Sequence, residues 1–179
     1  TDRLSFASDP GTVLEVSIAS LCDRVNRLVS GCRTGICIAN SERTALERAI
    51  FPNLPPSFQS CIKDIPIGPP YFGSCTAAMD GDVIITCHDM ASEARFDECF
   101  VAHCVQHGIF SLQSRPVHGR DGKPIGTFVM TFPVPCVVTD FNVAVMGFAA
   151  EAVSALLQRE LDITQQTHTA ASTTARTEA

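Results

Sequence analysis

The chain has 179 residues, 45% of them hydrophobic, so it can bury the core of one domain. Its net charge of −6 and its singly scattered Arg and Lys residues argue against nucleic acid as the main partner. The lack of Trp and the single Tyr argue against a large aromatic binding platform.

The cysteine content bears on the cellular compartment. Nine cysteines occur, an odd number, without any CxxC and without the spacing of a disulfide framework. Such cysteines are typical of a reducing compartment, where free thiols pack as small hydrophobic side chains. No apolar run approaches the length of a membrane span, and no signal-peptide pattern is present. We therefore expect a cytoplasmic protein with no membrane partner.

The first half of the chain predicts one long helix and several strands. Apolar residues recur at mostly helical spacing in "GTVLEVSIASLCDRVNRLV", which predicts a helix over 11–30. Asp9 and Pro10 are typical of a helix start and Gly31 of a helix end. "TGICIAN" and "DVIITC" predict strands, "ALERAIFPNLPP" predicts a weaker strand, and "SFQSCIKD" predicts one or two helical turns.

The second half predicts a hairpin between two helices. "FDECFVAHCVQHG" fits a helix that ends at Gly108, and the strands "IFSLQSRPV" and "PIGTFVMTFPV" are joined by the turn sequence "HGRDGK". A helix over 140–162 then begins at a Thr139/Asp140 cap. Its predicted core stripe is Phe141, Val145, Phe148, Ala152, Leu156 and Leu157. The segment 163–179 has no apolar periodicity and is predicted to be a linker or disordered.

These elements predict an α+β domain over 11–162, preceded by an N-terminal extension, 1–10. Hairpin pairing implies a central antiparallel sheet, and the first and last helices can pack together on one face of it. Further apolar residues of the last helix lie outside the stripe. They are Val143, Met146, Val153 and Leu161. We interpret this surplus as the contact surface of a parallel homodimer formed through the terminal helices.

The middle of the chain and the hairpin carry a family resemblance. "IPIGPPYFGSCTAAMDGDVIITCHDM" followed by "HGIFSLQSRPVHGRDGKPIGTFVMTF" resembles the GAF domain, a small-molecule-sensing module of bacterial signalling proteins. The matching pieces include Gly73-Ser74-Cys75, His107-Gly108, Pro116-Val117 and Ile125-Gly126-Thr127-Phe128. The resemblance implies a ligand cavity walled by loops, on the sheet face opposite the terminal helices. It also implies a non-enzymatic sensor that signals through those helices to a C-terminal output domain outside this chain.

Eight residues are predicted to line that cavity. They are Phe72, Cys75, Met79, Asp89, Phe96, His107, Phe110 and Gln113. Asp89 follows an apolar strand, where it could accept an N–H from a ligand or cap the next turn. Ser111, Gln113 and Arg115 share one strand face. If that face looks into the cavity, Gln113 is a hydrogen-bond donor to the ligand; otherwise it lies on the solvated side of the sheet.

Cys75 allows two interpretations. A thiol near the start of a short helix is favoured as a thiolate, which would make Cys75 a nucleophile or a redox group. Alternatively, its small side chain forms the floor of the cavity, since no base is adjacent to activate it. Free methionine-(R)-sulfoxide reductase has the same fold and also resembles the chain at Cys75 and Cys104. The segment after Cys104 and the strand "PIGTFVMTF" lack the carboxylates that this enzyme needs, so we expect no catalytic residue.

A Cys/His set before Gly108 offers a further alternative. Cys99, His103 and His107 recur every four residues along one helix face, and Cys104 is another soft ligand nearby. This set could bind a metal ion or haem and make the domain a gas or redox sensor. In the other interpretation no metal is bound, His107 caps the helix end, His103 faces solvent, and both cysteines pack.

Overall fold

The structure is a computed structural model that describes the backbone of residues 10–177 and the side chains of residues 11–169. Most of the predicted N-terminal extension lies outside the described residues. The helices are α1 (Pro10–Leu28), α2 (Pro56–Ser60), α3 (Ser74–Gly81), α4 (Glu98–Gln106) and α5 (Asp140–Thr177). The strands are β1 (Arg33–Ala39), β2 (Ala45–Ile50), β3 (Ile65–Pro66), β4 (Ile85–Cys87), β5 (Ser111–His118) and β6 (Pro124–Phe132). A 3-10 turn spans Met90–Ser92.

These strands form one antiparallel sheet in the order β3-β2-β1-β6-β5-β4. The strand β6 lies near the centre, where Phe128 pairs with Ile36 of β1. The β5–β6 hairpin turns over residues 119–123, and Gly122 adopts a φ of +75° there. The predicted α+β class with a central antiparallel sheet is confirmed.

The side chains of the sheet alternate between two faces. We call the face covered by α1 and α5 the helix face, and the opposite face, covered by α2, α3 and α4, the loop face. The helix-face core includes Ile18, Cys22, Ile36, Phe128, Met130, Met146 and Val153. The loop-face core includes Cys37, Phe51, Cys75, Met90, Phe100, Leu112 and Val129. The sheet thus separates two hydrophobic cores, with the terminal helices together on one side as predicted.

The first helix follows its predicted period. Leu14, Ile18, Cys22 and Val25 recur every three or four residues, and each is at most 3% exposed. The chain leaves the helix through Gly31, whose φ of +78° is a conformation that glycine adopts without steric cost. The described helix therefore agrees closely with the predicted one.

The core stripe predicted for α5 is partly wrong. Phe141 and Phe148 are 57% and 76% exposed. The buried stripe is Val145, Met146, Ala149, Ala150, Val153 and Leu157. This buried side includes the small residues Ala149 and Ala150, which let the helix pack close to the sheet. Met146 and Val153, which the sequence assigned to a dimer surface, therefore belong to the core.

The last helix is also longer than predicted. The sequence predicts a helix end near 162, but α5 continues to Thr177, so residues 163–177 are helical; their prediction as a linker stays a prediction. Once a helix exists, each added residue gains a backbone hydrogen bond, so its growth needs no apolar stripe. The hydroxyls of Thr164 and Thr167 also donate to the carbonyls of Glu160 and Ile163, at 3.0 and 2.9 Å.

By length and composition α5 meets the criterion for a membrane-spanning helix over Asp140–Thr169, with a hydropathy of 1.4 in its most apolar window. The expectation that no segment approaches this length is therefore wrong. A helix in the core of a globular domain meets the same criterion, and 39% of this window is buried inside the domain. Part of the apolar surface of α5 thus has a partner within the fold, while Phe141 and Phe148 are exposed.

Candidate functional site

The start of α3 lies close against the sheet. The sequence "GSCTAAM" supplies small residues, and all of 74–79 are buried. A Cβ on Gly73 would lie 2.6 Å from the Phe100 ring, so the chain needs glycine at this close approach. Thr76 Oγ1 donates to the Gly73 carbonyl at 2.9 Å and accepts from the Gly73 N–H at 3.3 Å, which closes the first turn. The helix α3 thereby holds Cys75 on the loop face.

Five residues form what we call the thiol cluster: Cys37, Ser74, Cys75, Ser114 and Thr127. Cys37 and Thr127 pair across β1 and β6, while Ser114 lies on β5. Ser114 Oγ is 2.8 Å from Ser74 Oγ and 3.7 Å from Cys75 Sγ. Cys37 and Cys75 both belong to the loop-face core. All five are at most 9% exposed, so the thiol cluster is a group of buried polar side chains within an apolar core.

Hydrogen bonds set the ionisation of the thiol cluster. The neighbouring Cys37 side chain lowers the pKa of Cys75, with help from the hydroxyls of Ser114 and Ser74 and against the effect of burial. The proximity of Cys75, together with burial, raises the pKa of Cys37 well above its usual value. The buried Thr127 hydroxyl has no nitrogen or oxygen partner. The thiol cluster therefore combines an acidic thiol with a hydroxyl that is available for a further hydrogen bond.

Four of the predicted ligand residues meet on the loop face: Phe72, Cys75, Met79 and Phe96. The rings of Phe72 and Phe96 both contact the Phe100 ring edge-to-face, with centroid distances of 5.6 and 5.7 Å. Cys75, Met79 and Phe96 are each less than a tenth exposed. The chain's own side chains therefore pack the region where the sequence predicts a cavity.

An open cavity of about 790 Å³ lies outside this core, beside α4. Its lining includes Glu93, Phe96, Val101 and Val105. Arg95 fixes its rim, because Nη2 donates to Glu93 Oε2 at 2.6 Å and to a carbonyl of β4 at 2.7 Å. The hydrogen bond from Arg95 lowers the pKa of Glu93 to about 2. Phe96 thus separates the loop-face core from this cavity.

Three other predicted residues bond locally. Asp89 Oδ1 accepts the Ala91 N–H at 3.1 Å, so Asp89 caps the 3-10 turn. His107 Nδ1 lies 2.8 Å from the His103 carbonyl at the end of α4. Phe110 is half-buried, and its N–H and C=O both bond to backbone groups. The structure does not bring these residues into the loop-face core.

Gln113 lies on the opposite face of the sheet. Leu112 belongs to the loop-face core, so its strand neighbours Ser111, Gln113 and Arg115 face α5. Gln113 is 3% exposed, its Nε2 donates to Thr86 Oγ1 at 3.0 Å, and its Oε1 has no partner. The three residues do share one strand face, but α5 covers that face, which is neither solvated nor part of a loop-face cavity.

The His103 and His107 rings of the Cys/His set meet, with centroids 4.4 Å apart, but the two cysteines do not join them as metal ligands in the described part of the chain. His103 stacks on the Phe58 ring at a centroid distance of 4.9 Å, and its Nε2 lies 3.2 Å from the Phe58 carbonyl. Cys104 is fully buried, whereas Cys99 is exposed. His103 is therefore half-buried rather than solvent-facing, and Cys99 does not pack. In the described part of the chain, no three His, Cys, Asp or Glu side chains are placed to hold a metal ion.

Cys37, Ser114 and Thr127 are not among the site residues predicted from the sequence. They lie on three different strands, and only the pairing of β1, β6 and β5 brings them to Cys75. One signal is present: Thr127 is a small polar residue in "PIGTFVMTF", a largely apolar strand. Such residues inside a buried strand need a partner, which points to a polar site.

No protein-family model matches the chain, and no curated protein matches it. Solved structures are similar in fold. The GAF domain/HD domain protein from Geobacter sulfurreducens matches with a TM-score of 0.65 and 15% identity, covering 89% of this chain and 99% of that one. A domain assigned to a two-component sensor histidine kinase from Sinorhizobium meliloti 1021 matches with a TM-score of 0.65 and 16% identity, covering 85% and 96%.

An enzyme is similar as well. The type II free methionine-R-sulfoxide reductase from Thermoplasma acidophilum matches with a TM-score of 0.62 and 16% identity, covering 84% of this chain and 96% of that one. Sensor domains and a reductase thus share this architecture, and the fold alone does not decide between them. The antiparallel sheet, its two covered faces and these matches agree with the resemblance carried by the sequence motifs. The chain has a GAF-like fold.

Proposed function

We propose that this GAF-like domain is a non-enzymatic, cytoplasmic sensor that binds a small molecule and passes the signal through α5 to an output domain. The main support for this proposal is that β5 and β6 contribute residues to the thiol cluster on one face and pack against α5 and the helix-face core on the other. Ser114 and Thr127 belong to the thiol cluster at the start of α3, while their neighbours Arg115 and Phe128 lie against α5 and the helix-face core. Only the sheet separates the thiol cluster from α5. A shift of α3 would therefore change the sheet surface against which α5 packs.

The surroundings of the cysteines favour binding over turnover. The groups that act on Cys75 are thiol and hydroxyl groups, with no carboxylate among them. Burial strongly raises the pKa of Cys104, which keeps it a neutral thiol. Reduction of a sulfoxide requires an acid to protonate the leaving oxygen, and neither cysteine has such a partner in the described part of the chain.

We place the ligand between the sheet, α3 and α4. The proposed contacts are Phe72, Cys75, Met79 and Phe96, with Asp89, His107 and Phe110 at the rim. The unpaired Thr127 hydroxyl would bind a polar group of the ligand, because a buried hydroxyl gains most from a new partner. Rotation of Phe96 would connect this core with the cavity beside α4. Gln113 is left out of the proposed site because it faces α5.

The Thr127→Val variant tests the ligand site. Valine keeps the shape and removes the hydroxyl, so stability should stay the same or rise slightly, since the buried hydroxyl lacks a partner. Any metabolite that raises the melting temperature of the wild type should stabilise this variant much less. Thermal-shift measurements across a metabolite panel identify ligands that stabilise the wild type. Mass spectrometry of small molecules released from the purified chain gives further candidates for this panel.

The matched control is Thr164→Val on the exposed side of α5, which should keep the full ligand response. An unchanged response in Thr127→Val would contradict the proposed site. Thiol-dependent turnover of free methionine sulfoxide by the wild type would contradict the non-enzymatic assignment.

Exposed apolar side chains on the terminal helices support a parallel homodimer. Val16 of α1 is 65% exposed, and Leu161, which the sequence already assigned to this surface, is 48% exposed. Phe141, Phe148 and Ala155 are all exposed and recur every seven residues, the spacing of a coiled-coil seam. We propose that two copies pair along this side of α5, with α1 beside it.

The Phe148→Glu variant tests the dimer. A charge on this seam would be buried without a partner, so the variant should sediment as a monomer under conditions in which the wild type is a dimer. Its melting temperature at low protein concentration should match the wild type, because Phe148 is exposed in the single chain. Ala102→Glu, at an exposed position of α4, is the control and should remain dimeric. A wild type that stays monomeric at high concentration would rule out the proposed homodimer.

A further inference from the structure

We propose that a second small-molecule site lies on the helix face, between β5 and α5, and that it takes a free amino acid. A cavity of about 290 Å³ opens there. Its polar lining is Arg115 and His118 of β5 with Glu151 and Ser154 of α5. Each molecule of liquid water occupies about 30 Å³, so the cavity has room for about ten non-hydrogen atoms. An amino acid with a small or medium side chain fits within that limit.

Two of these four polar side chains are already bonded within the domain. His118 Nε2 lies 2.6 Å from Asp82 Oδ1, and Ser154 Oγ donates to the His118 carbonyl at 2.6 Å. Among the residues whose side chains the structure describes, none forms a hydrogen bond or an ion pair with the Arg115 guanidinium or the Glu151 carboxylate. The cavity therefore offers one unpaired cation and one unpaired anion.

Arg115 is the stronger indication of a ligand. Its side chain is half-buried against α5, where an unpaired cation lacks both full hydration and a counter-ion. A Cβ placed on Gly147 would lie 3.7, 3.7 and 3.8 Å from the Cζ, Nη2 and Nη1 atoms of Arg115. These nearly equal distances mean that the flat face of the guanidinium lies over Gly147, so its N–H groups point along the helix surface. A carboxylate can accept two parallel hydrogen bonds from such an edge.

Glu151 supplies the opposite charge nearby. It follows Gly147 by four residues, so both lie on one side of α5, where neighbouring Cβ positions are about 5–6 Å apart. An α-amino acid carries a carboxylate and an ammonium group on the same carbon atom. It would place the carboxylate on Arg115 and the ammonium group on Glu151. An anion without an ammonium group would instead be repelled by Glu151, so the pair of charges selects a zwitterion.

Saturation-transfer NMR on the purified chain tests this site with the standard free L-amino acids, each alone at millimolar concentration. At least one should bind, and titration calorimetry should give its dissociation constant. Two matched compounds then probe the two charges: the carboxylic acid that lacks the amino group, and the amine that lacks the carboxyl group. Each should bind about tenfold more weakly than the amino acid, or not at all.

Two variants assign the charges to residues. Arg115→Met keeps most of the side-chain length and should raise the dissociation constant about tenfold or more. Without ligand it should melt like the wild type, because the lost guanidinium leaves no partner unpaired. Glu151→Gln should raise the dissociation constant about threefold, since an exposed carboxylate forms weaker ion pairs. Arg24→Met, at an exposed position of α1, is the matched control and should bind like the wild type.

Three results would overturn the proposal: no binding of any amino acid, equal binding of the matched carboxylic acid, or unchanged binding in Arg115→Met. The site is independent of the ligand site on the loop face. An amino acid bound beside α5 should keep its affinity in Thr127→Val, and a ligand of the loop face should still stabilise Arg115→Met. The thermal shifts of Thr127→Val are therefore compared for ligands that still act on Arg115→Met.

Discussion

Replacing Phe128 with alanine is expected to lower the free energy of unfolding by about 3–5 kcal/mol. Phe128 is fully buried in the helix-face core, which contains residues from both α1 and α5. Its strand β6 is hydrogen-bonded to β1 on one side and β5 on the other, so the backbone cannot easily move into the cavity left by the ring. Urea-induced unfolding followed by circular dichroism measures the loss directly.

Phe148→Ala at low protein concentration is the matched control, since dimer formation then makes no contribution. Phe148 is 76% exposed, so its removal should change the free energy of unfolding by less than about 0.5 kcal/mol. Similar losses in the two variants would contradict the assignment of the buried face of α5.

A second large loss is expected for Gly126→Ala. The new Cβ would lie 2.5 Å from the Cys37 carbonyl oxygen, and because this atom belongs to the backbone, β1 as a whole must move. Overpacking typically costs about 1–3 kcal/mol and occasionally more. The upper end is expected here, since Gly126 pairs with Ile38 in the β1–β6 ladder, whose hydrogen bonds would be strained as well. Chemical unfolding again gives the free energy.

Gly147→Ala provides the opposite expectation for the same substitution. A Cβ on Gly147 would make an ordinary contact of 3.7 Å with the Arg115 guanidinium. Alanine also favours an α-helix over glycine by about 0.8–1 kcal/mol, so this variant should be as stable as the wild type or slightly more stable. Destabilisation comparable to that of Gly126→Ala would mean that α5 packs against β5 more tightly than described.

The order and type of the elements could be predicted because local signals determine them. The period of α1, the turn sequence between β5 and β6, and the glycines at the two helix ends each act within a few residues. The core face of α5 could not be predicted in the same way. Large aromatic residues suggested a core stripe through Phe141 and Phe148, but the strands instead accommodate the small residues Ala149 and Ala150. Which side of an apolar helix is buried depends on the shape of its partner.

The candidate site was predicted only in part for a related reason. Phe72, Cys75, Met79 and Phe96 lie close together in sequence and meet on the loop face. The partners of Cys75 come from distant strands, and their positions follow from strand register, to which a single sequence gives little access. For Gln113, the sequence predicted that it shares a strand face with Ser111 and Arg115. It did not predict that this face packs against α5.

The length of α5 has a consequence for anything attached to it. Its 38 residues span about 57 Å at 1.5 Å per residue, and residues 163–169 extend beyond the core stripe with exposed side chains. In a continuous helix each residue adds a rotation of about 100°, so the helix sets an angular phase as well as a distance. Inserting one residue after Leu161 would turn an attached domain to a different side, whereas inserting seven would nearly restore its direction. The helix would thus couple sensor and output by rotational phase, which is lost or regained with the number of residues between them.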